Sequence, residues 1–151
     1  MHIAALKSPD SRDHRSVIHP DTVKKITELS GVTVSFESGI GNGINVSDQT
    51  FIELGLNAIS RDECLSQANF IITPSPLTID ESNKIQSGST VLGMLNPFHA
   101  VDELKALNQS KINVVSMEFI PRITRAQKMD VLSSQANLAG YAAVLEAAQH
   151  L

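Results

Sequence analysis

Five short apolar runs decide what this chain can fold into. They lie at residues 3–6, 32–36, 70–72, 90–95 and 112–116, and each gives way to polar or turn-forming residues. Val32-Thr33-Val34-Ser35-Phe36 alternates and is rich in β-branched residues, the pattern of a pleated strand. Phe70-Ile71-Ile72 is continuous instead, as expected of a strand covered on both faces. Thr73-Pro74-Ser75-Pro76 ends it, because proline cannot extend the ladder. The stretches between the runs are long enough for right-handed helical crossovers, so the strands are expected to run parallel.

The connecting stretches carry their own helix signals. Pro20-Asp21 opens a helix whose stripe is Val23, Ile26 and Leu29, with Gly31 as its stop. Ser47-Asp48 caps a short helix through Phe51, Ile52 and Leu54, ended by Gly55. Another begins near Ser60, with Asp62 and Glu63 favourable to its N-terminal dipole. Further helices are expected over 80–85 and from near His99 through Leu104 and Leu107. The consistent architecture is α/β: a single doubly wound, mainly parallel sheet of about five strands flanked by helices, flavodoxin- or Rossmann-like, ending in a long alanine-rich helix.

The chain's 151 residues suit one domain with a core, and 42% hydrophobic against 19% charged residues is ordinary for a globular protein. A net charge of −4 argues against a nucleic-acid binder, which would show a basic face. No apolar run approaches the ~20 residues that span a bilayer. Cys64 is the single cysteine, read as a half-buried helix residue, and the absence of any internal disulfide fits a reducing compartment. His2, His14, His19, His99 and His150 show no metal-ligand spacing. Gly39, Gly41 and Gly43 lack the third glycine of the dinucleotide fingerprint and read as turn geometry, since glycine accepts φ > 0 without steric cost.

The final helix runs from about Ser134 to Gln149, and Met129, Leu132, Ala136, Ala139, Ala143 and Ala147 recur at three- and four-residue spacing leading into and along it. Ala136, Ala139, Gly140 and Ala143 leave its face almost bare of side chains, suited either to docking another domain or subunit or to intimate packing on its own sheet. Gly140 costs up to ~1 kcal/mol relative to alanine, so a close contact is expected to compensate there.

The segment from Ile120 to Ser134 packs two arginines, an amide, a carboxylate and several hydroxyls between an apolar run and that helix. Charges at such density need partners or a ligand. From the residues alone, Arg122 and Asp130 read either as a ligand-facing charge-assisted pair or as a structural pair, with Asp130 capping the next turn. The run P-R-I-T-R-A-Q-K-M-D-V-L-S-S-Q-A-N-L-A-G-Y, Pro121 to Tyr141, resembles the signature of the N-terminal domain of the proton-translocating NAD(P) transhydrogenase alpha subunit. Alanine dehydrogenases share that fold and parts of the pattern. The likeness extends to the stretch 13–25, to Glu37-Ser38-Gly39-Ile40-Gly41 and to Ser47-Asp48.

The resemblance implies hydride transfer between NAD(H) and NADP(H), with the loop from Arg122 to Ser133 lying over a nicotinamide bound in a neighbouring domain. It implies Arg122, Gln127 and Asp130 as the catalytic set, and the same three with Ser133 as cofactor contacts; none would act as acid or base. Residues 1–151 correspond to that N-terminal domain, and the NAD-binding domain with its G-x-G-x-x-G fingerprint is absent from them. Hence NAD(H) is expected in the parent enzyme but no tight cofactor binding and no turnover by this chain alone. The implied partners are the NAD-binding domain, the NADP-binding and membrane subunits, and a second copy as a homodimer. The implied location is cytoplasmic, peripheral to the membrane through those subunits. Two alternatives stay open: a non-catalytic binding or regulatory module descended from that domain, and an alanine-dehydrogenase-like fragment. Alanine dehydrogenases hold pyruvate with an arginine, a lysine and a histidine; Arg15 stands at the first position, but Thr73 and Asn96 stand at the other two, which speaks against keto-acid binding.

Overall fold

The computed structural model describes residues 1–150, in two compact units, Met1–Ser116 and a second beginning at Met117. The first is a six-stranded, wholly parallel sheet of β1 (His2–Ala5), β2 (Thr33–Glu37), β3 (Asn57–Ile59), β4 (Phe70–Thr73), β5 (Thr90–Gly93) and β6 (Asn113–Ser116), in the order β3-β2-β1-β4-β5-β6. The doubly wound architecture is as expected from the apolar runs. The additional strand, β3, is an edge strand of three residues paired to Ser35–Glu37 on one side only. Asn-Ala-Ile has neither length nor β-branched content enough to mark it.

The connections are α1 (Pro20–Thr27), α2 (Asp48–Glu53), α3 (Arg61–Gln67), α4 (Ile79–Ser82) and α5 (Val101–Gln109). Four start on side chains that satisfy otherwise orphaned N–H groups, α1 on a capping box of His19 with Thr22. Ser47 accepts from Thr50 N, while Ser60 with Glu63 and Thr78 with Glu81 each form a reciprocal capping box. α1 stops at Thr27, with Glu28 as C-cap, so Leu29 falls outside the helical period and is 55% exposed instead of joining Val23 in the core. Gly31 lies beyond it at φ +72°, as a stop signal requires.

Two apolar layers flank the sheet. Ala4, Ile71 and Val91 point to one face and meet Cys64 and Leu65 of α3 and Leu107 of α5. Ile3, Ala5, Val34 and Phe36 point to the other and meet Val23 of α1 and Phe51 of α2. The Phe36 and Phe51 rings lie 5.3 Å apart, tilted by 53°, both fully buried. Burying each ring contributes about 2–3 kcal/mol. Cys64 is fully buried, more deeply than its sequence position suggests, and burial pushes its thiol up to about 12.

The glycine-rich loop after β2 obeys two rules. Gly39 sits at φ +81°, its N–H held by both Asp48 carboxylate oxygens at 2.9 and 3.0 Å. Gly41 and Gly43 do not have positive φ; they are glycine because a Cβ would lie 2.2 Å from the Val46 carbonyl oxygen and 2.3 Å from that of His14. Close backbone approach, then, explains two of the three.

The second unit holds two short 3-10 turns, Met117–Phe119 and Thr124–Met129, and then α6 (Val131–Gln149). α6 starts three residues earlier than its sequence suggested. None of its residues is buried, and a Cβ on Gly140 would meet nothing within 4 Å among the described residues. The compensating contact expected at Gly140 is therefore absent among the described residues.

Candidate functional site

The segment from Pro121 to Ser134 is a turn of 3-10 helix running into a capped α-helix. Ala126 is its one buried apolar anchor, with its N–H donated to the Ile123 carbonyl at 2.9 Å. The chain then reaches Asp130, 8% exposed, which acts as N-cap of α6. Its Oδ1 accepts the Ser133 N–H at 2.9 Å and its Oδ2 the Ser133 hydroxyl. Its backbone carbonyl accepts the Ser134 hydroxyl at 3.0 Å. The Ser133 hydroxyl, then the Ser133 N–H, hold the Asp130 carboxyl below its usual range, and the Arg122 charge adds a smaller pull in the same direction.

Asp130 caps α6 as expected, and the direct pair with Arg122 that both readings included is not formed: among the described residues no ion pair within 4 Å joins them. The physical reason is that both carboxylate oxygens already face the helix terminus, where the N–H and hydroxyl of Ser133 reach them. Arg122, Arg125, Gln127 and Lys128 are exposed. The segment thus brings Asp130 and Ser133 together and leaves the guanidinium of Arg122 and the amide of Gln127 open to solvent.

The C-terminal edge of the first unit's sheet carries a second polar group, which the sequence did not single out. Glu37, at the end of β2, is buried and accepts from Arg61 Nη1 at 2.8 Å and from the Lys7 N–H at 3.1 Å. Arg61 also donates to Glu81 and, at 3.1 Å, to the Lys7 carbonyl, so one guanidinium ties together the ends of β1 and β2 and the start of α4. Burial works against the Arg61 charge, yet the hydrogen bond to Glu81 and the nearby Glu37 carboxylate hold its pKa above the ordinary value. A signal was available: a carboxylate in the last position of a strand covered on both faces requires a cation.

Arg15 lies on the loop after β1 and grips Asp13 through two hydrogen bonds, 2.7 and 2.8 Å. That grip lowers the Asp13 carboxyl to about 2 against the opposing effect of burial. Thr73 is buried, its hydroxyl donating to the Ser75 carbonyl at 2.8 Å. Asn96 is left-handed at φ +46°, with its Oδ1 3.0 Å from His99 Nδ1. Neither Thr73 nor Asn96 brings a positive charge to this edge. Among the described residues no three His, Cys, Asp or Glu side chains gather as a metal site, and no helix is long and apolar enough to cross a membrane.

Residues 7–139 match the profile of the family described as alanine dehydrogenase/PNT, N-terminal domain. The chain belongs to this family. Over 99% of its length it is 34% identical to the first of the pieces that make up the NAD(P) transhydrogenase subunit alpha of Rickettsia prowazekii. Over 98% it is 36% identical to the corresponding piece from Rhodospirillum rubrum. In each case it spans 40% of the relative's own length. A transhydrogenase structure from Sinorhizobium meliloti superposes on 99% of the chain with a TM-score of 0.91 and 34% identity, the match spanning 44% of that protein. An L-alanine dehydrogenase superposes on 80% of the chain and 33% of its own, with a TM-score of 0.72 at 20% identity, a likeness of fold. As an alanine dehydrogenase/PNT N-terminal domain, the chain has a sheet edge closed by its own ion pairs and a loop that is not.

Proposed function

We propose that this domain supplies the nicotinamide-orienting loop of an NAD(P) transhydrogenase, acting on a nucleotide bound by a further domain, and that alone it transfers no hydride. The supporting observation is the division of labour between Asp130–Ser133 and Arg122–Gln127. Asp130 and Ser133 engage one another and the N-terminus of α6, fixing where the preceding turn ends. Gln127, exposed three residues earlier, offers a donor and an acceptor that fit the carboxamide of a nicotinamide. Arg122, exposed at the other end of the 3-10 turn, offers a planar guanidinium suited to a nucleotide's phosphate or carbonyl oxygens.

The nicotinamide, when bound, supplies the hydride chemistry. The chain's residues orient the ring and exclude water, and no proton has to move through Arg122, Gln127 or Asp130. Asp130 and Ser133 are positioning residues in this reading. The NAD-binding domain, the NADP-binding and membrane subunits and a dimeric arrangement belong to the same proposal, as does a place at the cytoplasmic membrane surface through those subunits.

The test is nucleotide binding with and without a partner. NADH titrated into the chain alone is expected to bind weakly. Adding the unmatched portion of the Rhodospirillum rubrum relative, expressed separately, is expected to tighten binding beyond that of either piece. Arg122→Ala and Gln127→Ala are each expected to remove roughly tenfold of that gain, about 1.4 kcal/mol. Equal affinity with and without the loop side chains refutes the reading, as does hydride transfer to a thio-NADP analogue by the chain alone. The alanine-dehydrogenase alternative lacks support, because Thr73 and Asn96 present no charge to polarise a keto acid.

A further inference from the structure

The turn after β2 sets a nucleophile beside an electrophile. Asn42-Gly43 is the only place in the chain where glycine follows asparagine. Packing imposes that glycine. A Cβ at position 43 would lie 2.3 Å from the His14 carbonyl oxygen and 2.7 Å from the His14 Cα, so larger residues are shut out. The missing side chain then leaves the Gly43 nitrogen unshielded next to the Asn42 side chain. Both residues are exposed. The N–H groups of Asn42, Ile44 and Asn45 are all donated within the turn, whereas neither the Gly43 N–H nor the Asn42 side-chain amide is hydrogen-bonded among the described residues.

For the Gly43 nitrogen to meet Asn42 Cγ, the backbone between them has to rotate. The structure that resists is one 3-10 turn of three residues, Asn42–Ile44, with none of them buried. Such turns have poor hydrogen-bond geometry, and exposed ones open locally at little cost. The bond that closes this one, from the Asn45 N–H to the Asn42 carbonyl, is 3.3 Å long. Asn45 itself sits in the left-handed region at φ 58°, a conformation that L-residues hold with some strain. Other exposed asparagines are better protected. Asn83, Asn108 and Asn137 are followed by Lys84, Gln109 and Leu138, whose side chains crowd the same approach.

We infer that Asn42 is a site of spontaneous deamidation, and that its isoaspartyl product releases the loop carrying Asp13 and Arg15 from Gly43. A solvent base takes the Gly43 N–H proton and the nitrogen attacks Asn42 Cγ. The Cγ–Nδ2 bond breaks, ammonia leaves with a proton from solvent, and a succinimide ring remains. Water then opens the ring. Attack at Cγ gives aspartate at position 42, and attack at the main-chain carbonyl carbon gives isoaspartate. Either product adds one negative charge to a chain of net charge −4. Only the isoaspartyl product puts the side-chain methylene into the backbone, directly before the glycine packed on His14. His14 stands between Asp13 and Arg15, whose ion pair closes that loop at 2.7 and 2.8 Å. A main chain one carbon longer cannot keep Gly43 in that contact, so the loop loosens. This inference does not depend on Arg122, Gln127 or any nucleotide.

The experiment ages the intact, folded chain in mildly alkaline buffer without nucleotide. Peptide mapping by mass spectrometry is expected to show Asn42 converting at least roughly tenfold faster than Asn83, Asn108 or Asn137, its barrier being free of side-chain crowding. An isoaspartyl-specific methyltransferase is expected to label the aged chain at position 42. The N–H groups of Asp13 and Arg15 are bonded within their loop, so their hydrogen exchange reports its closure. In the isoaspartyl fraction that exchange is expected to quicken roughly tenfold. Asn42→Asp, which adds the charge but keeps the backbone length, is expected to leave it unchanged. Asn42→Gln, whose longer side chain cannot close the same small ring, is expected to show neither labelling nor loosening on ageing. A smaller margin at Asn42, or loop exchange in the isoaspartyl fraction equal to that of the fresh chain, overturns the inference. So does equal loosening in Asn42→Asp, because charge and not backbone length is then the cause. Conversion and exchange are both read on the unsubstituted chain, so they decide the matter even if a variant fails to fold.

Discussion

Glu37 and Asp130 are both buried carboxylates at the ends of regular elements, and they are satisfied in opposite ways. Glu37 faces two cations, Arg61 at 2.8 Å and Lys7 Nζ at 3.7 Å, and closes the sheet edge around itself. Asp130 is met by a hydroxyl and an N–H from a single neighbour, Ser133, and leaves the Arg122 guanidinium exposed close by in sequence. A carboxylate neutralised by guanidinium makes a finished structure. One satisfied by its own helix terminus leaves the adjacent cation free for something else. The same chain thus holds a self-sufficient edge and an unfinished one, and the unfinished one carries the family's loop.

The sharpest way to break this contrast is at Arg61. Arg61→Met leaves Glu37 buried without its main partner, and is expected to cost about 4 kcal/mol in chemical denaturation. A loss near zero would mean that Lys7 suffices and that the edge is not closed by Arg61. Glycines in the two units offer the next comparison. A Cβ on Gly93 would lie 2.0 Å from the Thr73 carbonyl oxygen, so Gly93→Ala is expected to cost about 3 kcal/mol. Gly140→Ala, in the open space around α6, is expected to stabilise the isolated chain by about 1 kcal/mol, read from the thermal midpoint. Opposite signs at two glycines separate a packed unit from an unpartnered helix.

The smallest effect concerns Asp13. Its folded pKa, about 2, lies below the ordinary 3.8, so its contribution to stability is present above about pH 4 and is lost as pH falls towards 2. Replacing Arg15 by glutamine is expected to return the titration midpoint, followed by NMR, towards 3.8 and to flatten that stretch of the stability profile. An unchanged midpoint would assign the depression to another group.

What the sequence disclosed tracks how local the physics is. Phe70-Ile71-Ile72 and Val32-Thr33-Val34 announce strands because the burial of each residue follows from its own side chain. Asn57–Ile59 does not, since it pairs on one side only and two of its three residues, Asn57 and Ala58, disfavour strands. Asp130 was legible as a cap, because the serine it needs lies three residues on. The Arg61–Glu37 pair joins residues twenty-four apart through the sheet order, which no local pattern records. α6 was legible as a helix but not in what it packs against: its alanine-rich, almost uncharged sequence left docking and packing on its own sheet both open, and in this chain it is exposed throughout most of its length.

The chain's single thiol, on Cys64, lies between α3 and the sheet with no exposed surface and a pKa of about 12. It stays protonated and out of reach at neutral pH. A thiol-specific dye therefore labels it only during excursions that separate the helix from the strands. Its labelling rate is a built-in clock for how often this core opens, readable without adding a probe.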